Sequence, residues 1–115
     1  ILLKGCPWAI HAAVTRREAI RGVGGFDLRF EIGEDYFMWL SIAMSHRVFL
    51  VGEVLAYYYH HQGERATSRK DKVALDTWRV QSAFIAEHAS VFENSDLATL
   101  RRLPNQNLLE RGFDY

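Results

Sequence analysis

Residues 23–40 read VGGFDLRFEIGEDYFMWL, and this stretch decides how the chain is organised. Gly24 and Gly25 predict the end of one helix, because glycine accepts the left-handed conformation that closes a helix. Glu34 and Asp35 predict the start of another, since carboxylates complement the positive end of a helix dipole by roughly 0.3–1 kcal/mol each. The two acids therefore lie at a loop-to-helix junction, directly before a strongly apolar run.

Helical signals recur along the chain. The Thr15-Arg16-Arg17-Glu18 sequence resembles a capping box, in which the Thr15 hydroxyl and the Glu18 carboxylate each bind a backbone N–H. A polar break at 94–96 and then Pro104 interrupt the later helical signal, and Ser95 is the expected cap of the last helix. The predicted helices are about 16–23, about 34–45, from 69 to the polar break at 94–96, and 96–103.

Three apolar or aromatic segments predict strands, because β-branched and aromatic residues favour a pleated, half-buried surface. They are 8–14, 47–51 and 54–60. Strands interleaved with helices indicate an α/β fold. The last 47 or so residues predict a mostly helical C-terminal extension.

Composition limits the classes of function. A chain of 115 residues is long enough for one domain. Lys plus Arg and Asp plus Glu both total 14, so no basic excess indicates a nucleic-acid partner. The single cysteine, Cys6, has no activating partner in the sequence that would make it a nucleophile. No stretch approaches the roughly 20 apolar residues of a membrane span.

The Glu34-Asp35 pair has two interpretations. In the simpler one, both acids stabilise the start of the helix. In the functional one, a carboxylate fixed at the junction faces a cleft and acts as a general base. The spacing by itself favours the simpler interpretation.

Two further groups of residues have a functional interpretation. His61 could contact a metal or a diphosphate, although a lone histidine is not a metal site. Arg65, with the hydroxyl-rich stretch 67–70 after it, could bind phosphate oxygens, or form an ordinary solvated loop. Trp39 and the tyrosines of 57–59 could stack on a sugar, or simply pack in the core.

The order of four motifs resembles the C-terminal half of a family 2 glycosyltransferase catalytic domain. The motifs lie within residues 8–68: Arg16-Arg17-Glu18-Ala19, Val23-Gly24-Gly25-Phe26-Asp27, Gly33-Glu34-Asp35-Tyr36-Phe37-Met38-Trp39-Leu40 and Val54-Leu55-Ala56-Tyr57-Tyr58-Tyr59-His60-His61. The resemblance implies the acceptor-side half of a GT-A fold at residues 1–68, with a helical extension at 69–115. We expect the chain to be a piece of a longer protein.

The resemblance also implies roles for individual residues. Asp35 would be the general base of an inverting sugar transfer, and Glu34 would orient the acceptor or the helix start. Trp39 would lie near the acceptor, and His61 near the donor diphosphate and metal. Arg65 is a candidate phosphate contact. Where the family has an arginine two residues before the histidine, this chain has Tyr59.

The resemblance further implies cofactors and partners. The donor would be a nucleotide sugar, and the acceptor a hydroxyl on a sugar, a lipid-linked molecule or another compound. The intact enzyme would use Mg²⁺ or Mn²⁺, held largely by an Asp-x-Asp motif that this chain lacks, so we expect this chain to be inactive alone and to bind no metal tightly. An uncovered apolar face predicts self-association. We expect a cytoplasmic location, with attachment to the inner face of a membrane left open.

Two alternatives stay open. One is a non-catalytic helical interaction module, in which Glu34-Asp35 is only a cap and residues 69–103 form a docking helix pair. The other is a glycosyltransferase-like domain that has lost its activity.

Overall fold

The computed structural model describes residues 2–59 and 70–112, and within these ranges it contains α-helices and short 3₁₀ turns but no β-strand. The α-helices are α1 (Arg17–Gly22), α2 (Glu34–Ala43), α3 (Lys70–Glu87), α4 (Asn94–Leu100) and α5 (Leu103–Gly112). The 3₁₀ turns are Leu2–Lys4, Ile10–Ala12 and Ala89–Val91. The predicted α/β fold, as the acceptor-side half of a GT-A domain, is therefore wrong for the described part of the chain.

The sequence interpretation is wrong at the three predicted strands. Residues 47–51 and 54–59 form no regular element, and the segment 8–14 contains a 3₁₀ turn instead. A strand satisfies its backbone N–H and C=O groups only through a neighbouring strand. High β-propensity therefore produces no sheet here, because no described segment pairs with these residues.

The end of α1 confirms the role predicted for the two glycines. Gly25 N–H donates to Ile20 O at 3.0 Å and Gly24 N–H donates to Arg21 O at 3.1 Å, which is the Schellman pattern. Gly24 has φ 85° and Gly25 has φ 77°, both left-handed. The start of α1 differs from the prediction, because its cap is Arg16 and no side chain caps it.

Helix α2 begins at Glu34, as predicted, and packs against α3. Gly33 precedes it with φ 91°, and a Cβ at Gly33 would lie 3.0 Å from Val80 Cγ2 on α3. Glycine is therefore required twice, by the backbone conformation and by the close approach of α3. This contact fixes the junction that carries Glu34 and Asp35 directly against the core.

Two apolar clusters cover opposite sides of α2. The first joins α2 to α3, and the rings of Phe37 and Phe84 meet edge to face at 6.0 Å. The second joins α2 to α1 and the N-terminal segment. Their buried members are Tyr36, Phe37, Leu40, Val80 and Phe84 in the first, and Ala19, Met38, Trp39 and Ile42 in the second.

A buried polar network ties the N-terminal turn to α2, α3 and α5. Tyr36 Oη donates to Leu2 O at 2.7 Å, and Gln81 Nε2 donates to Leu3 O at 2.8 Å. Asn107 Nδ2 donates to Gln81 Oε1 at 3.1 Å. Gln81 is completely buried, and hydrogen bonds satisfy both ends of its amide, as a buried polar group requires.

The C-terminal helices differ from the prediction at Pro104. We expected Pro104 to end a helix, but it lies in the first turn of α5, where its missing N–H costs no hydrogen bond. Helix α4 begins at Asn94, after Glu93, so Ser95 is not its cap. Helix α5 packs along α3. Segments on both sides of the predicted 68/69 boundary thus contribute to one core, and the boundary itself stays a prediction.

Candidate functional site

Asp35 is half-buried in the first turn of α2. Its Oδ1 accepts a hydrogen bond from Tyr36 N–H at 2.7 Å. Among the described residues, no hydrogen bond reaches its Oδ2. One carboxylate oxygen is thus held by the backbone and the other is available to a ligand.

The residue after Asp35 anchors this geometry. Tyr36 is buried and its hydroxyl bonds to Leu2 O, so the first turn of α2 is fixed from the core side. Glu34 is also half-buried, and none of the residues at 2–59 and 70–112 forms a hydrogen bond or ion pair with its carboxylate. Glu34 and Asp35 therefore have different surroundings although they are adjacent.

The thiol of Cys6 lies near the carboxylate of Asp35. Trp39 is one helical turn after Asp35 on α2, and Cys6 packs against the cluster that contains Trp39. Burial raises the pKa of the Cys6 thiol, and the negative charge of Asp35 raises that pKa further. A raised pKa keeps the thiol protonated, so Cys6 is not an activated nucleophile.

Two buried indole groups lie in the same region. The Nε1–H groups of Trp39 and Trp8 are both buried, and no described residue accepts a hydrogen bond from either. Trp8 packs against the cluster of Trp39. An indole N–H that is buried without an acceptor is uncommon, which distinguishes this side of α2 from the Tyr36 side, where the polar groups are paired.

Arg29 holds the loop that leads into α2. Its guanidinium donates to both carboxylate oxygens of Asp27, at 2.6 and 3.0 Å for the closest contact to each, and pairs with Glu87 near the end of α3. It also lies 5.4 Å from the centroids of the Phe30 and Phe37 rings. The hydrogen bonds from Arg29 hold the pKa of the Asp27 carboxyl below its usual range. The loop is therefore attached to α3 at its surface.

The other predicted site residues are not brought together with Asp35 by the described structure. His61 and Arg65 lie outside the described residues, as do residues 67–69 of the proposed phosphate-binding loop. Tyr59 lies inside them and is 85% exposed. Of the predicted catalytic and binding residues, Glu34, Asp35 and Trp39 lie within the described residues, and all three are in α2. The tyrosines of 57–59 are described too, and all are exposed.

The sequence interpretation missed the residues that support the site. Gln81 lies in α3 between the buried residues Val80 and Phe84, so a polar residue within the buried stripe of the helix was its signal. Arg29 had no comparable signal, because its partner Glu87 is 58 residues away in the sequence.

The described structure contains no set of ligands for the expected metal. Within residues 2–59 and 70–112, no three His, Cys, Asp or Glu side chains are grouped as metal ligands would be. None of the helices in these ranges combines the length and the apolar content that crossing a membrane requires.

Comparison of the chain with protein-family models, with curated proteins and with solved structures returns no match.

Proposed function

We propose that this chain forms the acceptor side of a glycosyltransferase that uses a nucleotide sugar and inverts the transferred sugar, with Asp35 as the general base. The motif order within residues 8–68 supports this reaction class. The observation that carries the proposal is the asymmetry of the Asp35 carboxylate, in which the backbone of Tyr36 holds Oδ1 while Oδ2 has no hydrogen bond to a described residue.

This arrangement suits a proton acceptor. A general base must be rigid and within hydrogen-bond reach of the proton it removes. Helix α2 supplies rigidity, because Tyr36 and Phe37 are locked in the core on the far side of the helix. Asp35 Oδ2 would accept the proton of the acceptor hydroxyl.

The reaction then balances as a single displacement. The acceptor oxygen forms a bond to the anomeric carbon of the donor sugar while the bond from that carbon to the diphosphate oxygen breaks. The bond electrons leave with the nucleoside diphosphate, and the acceptor proton moves to Asp35. Trp39, one turn further along α2, is 7% exposed and packs in the second apolar cluster, so it would support the start of α2 rather than contact the acceptor.

The expected Mg²⁺ or Mn²⁺ has no part in these steps. The described residues do not fit a metal, since they contain no group of ligands that could hold one. His61, the metal ligand predicted from the sequence, lies outside them. The steps assigned to this chain are therefore confined to the acceptor proton and the acceptor position.

Asp35→Asn in the full-length polypeptide that carries this chain tests the base. The asparagine Oδ1 can still accept from Tyr36 N–H, so the helix start is retained while the base is lost. We expect the turnover number for sugar transfer to fall by roughly 10²–10⁴-fold. Unfolding by denaturant should show little change in stability.

Glu34→Gln is the matched control, because it removes the neighbouring charge and leaves Asp35 intact. It should reduce turnover much less than Asp35→Asn. Equal activity of Asp35→Asn and the wild type would contradict the proposal.

A second candidate is a non-catalytic helical module. The hydrogen bond from Tyr36 N–H to Asp35 favours it, because that bond is sufficient to explain an acid at this position. This candidate expects Asp35→Ala to destabilise the fold by about 0.3–1 kcal/mol, the contribution of a carboxylate in the first turn of a helix. It also expects Asp35→Asn to have no effect on any activity of the full-length protein.

A further inference from the structure

The segment 47–53 carries apolar side chains outside the core. Phe49 is 80% exposed, Leu50 is 76% exposed and Val51 is 66% exposed. Within the described residues, no backbone hydrogen bond involves the segment. Exposed apolar side chains and unpaired backbone groups in one segment are the features of a strand that lacks a neighbour.

The charges of the segment identify a suitable neighbour. Arg47 and Glu53 are its only charged residues, they lie at its two ends, and both are exposed. No described residue pairs with either side chain. An antiparallel partner with the same sequence, centred on Leu50, would place each arginine opposite the glutamate of the other copy.

We infer that two copies of this chain associate by antiparallel pairing of residues 47–53 about a twofold axis at Leu50. In this register, residue i lies opposite residue 100 − i of the second copy. Phe49 lies opposite Val51 of the second copy, which is a favourable aromatic and β-branched pair. Arg47 and Glu53 share that face, because side chains two apart point the same way. The inference does not depend on the proposed sugar transfer.

The exposed side chains of the segment give a small interface. Val48, Phe49, Leu50 and Val51 are 46–80% exposed. Taking about 200 Å² for an aromatic side chain and somewhat less for an aliphatic one, they present roughly 450 Å² per copy. This area is about half of the roughly 800 Å² per partner in a standard interface, so we expect a weak dimer. Pairing would also satisfy the backbone N–H and C=O groups that face the second copy, which burial against a smooth apolar surface would not.

The test is sedimentation equilibrium of the full 115-residue chain over a wide concentration range. The wild type should show a reversible monomer–dimer equilibrium. Arg47→Glu and Glu53→Arg should each weaken the dimer roughly tenfold, because each change places like charges opposite each other at both ends. An equimolar mixture of these two variants should recover wild-type affinity, since every facing pair is then of opposite charge.

Leu50→Asp tests whether the twofold axis lies at Leu50. Two carboxylates would face each other there, and we expect dimerisation to weaken by roughly 100-fold or more. Because Leu50 is exposed, the helix content measured by circular dichroism should not change. Arg101→Glu, an exposed charge reversal at the end of α4, is the control and should leave the dimer unaffected.

Three results would overturn the inference. The first is a wild type that stays monomeric at all concentrations, and the second is a dimer that persists in Leu50→Asp. The third is an equimolar mixture of the two charge variants that dimerises no more tightly than either variant alone. A monomeric wild type that instead binds phospholipid vesicles through Leu50 would assign this face to a lipid surface.

Discussion

Helix α2 and the segment 47–59 are almost equally apolar, yet one forms the centre of the molecule and the other lies outside it. Residues 36–40 of α2 are all buried, whereas Phe49 and Leu50 are largely exposed. A helix satisfies its backbone hydrogen bonds internally and can bury its side chains wherever a surface fits. A strand needs a neighbouring strand to pair its backbone N–H and C=O groups. The same hydrophobicity therefore leads to burial in α2 and to exposure at 47–59.

The largest expected effect tests whether these two regions differ in their contribution to stability. Phe84→Ala should lower the free energy of unfolding by about 3–5 kcal/mol, because it leaves a cavity between α2 and α3. Phe49→Ala is the matched control and should change it by no more than about 0.5 kcal/mol, since its side chain is exposed. Urea denaturation of dilute protein measures both. Similar losses for the two variants would show that the segment 47–59 is part of the folded core.

The same contrast explains what the sequence could predict. Several signals that act within one segment were confirmed, namely the starts of α2 and α3 and the Gly24-Gly25 end of α1. The caps expected at Thr15 and Ser95 and the helix end expected at Pro104 were local signals too, and they were wrong. Residues 47–59 have equally strong local propensity, but their conformation depends on a distant partner. The α/β prediction failed for that reason.

The candidate site likewise has some features that the sequence could predict and others that it could not. Asp35 at a helix start was predictable from its neighbours, and so was the placement of Trp39 one turn later. The contacts that hold this helix start were not, because Gln81 and Arg29 act across 78 and 58 residues of sequence. The roles of His61 and Arg65 stay predictions, since both lie outside the described residues.

A smaller effect concerns the polar part of the core. Gln81→Leu should destabilise the fold by about 1–3 kcal/mol, because it leaves the Leu3 carbonyl and the Asn107 amide buried without their hydrogen bonds. Gln106→Leu on α5 is the control, as Gln106 is exposed and the same change there should be nearly neutral. Equal stability of the two variants in urea would indicate that the network does not hold the N-terminal turn.

The smallest effect concerns the loop that leads into α2. Arg29→Ala should raise the pKa of the Asp27 carboxyl toward its ordinary value, since the hydrogen bonds from Arg29 now lower it. A lowered carboxyl pKa contributes stability above the unfolded pKa of about 4, and this contribution is lost as the pH falls through the folded value. Carboxyl carbon NMR titration measures the shift. Identical titration curves in the two proteins would contradict the ion pair.

Hydrogen exchange of dilute protein tests the central contrast most directly. The amides of Val80, Gln81 and Phe84 in α3 should be among the slowest to exchange, because they lie in a buried helix. The amides of 48–51 should exchange close to the rate of an unfolded peptide, since no backbone acceptor in the described structure pairs with them. Protection of 48–51 equal to that of α3 in the monomer would contradict the contrast, because it would show that the segment has a backbone partner within its own chain.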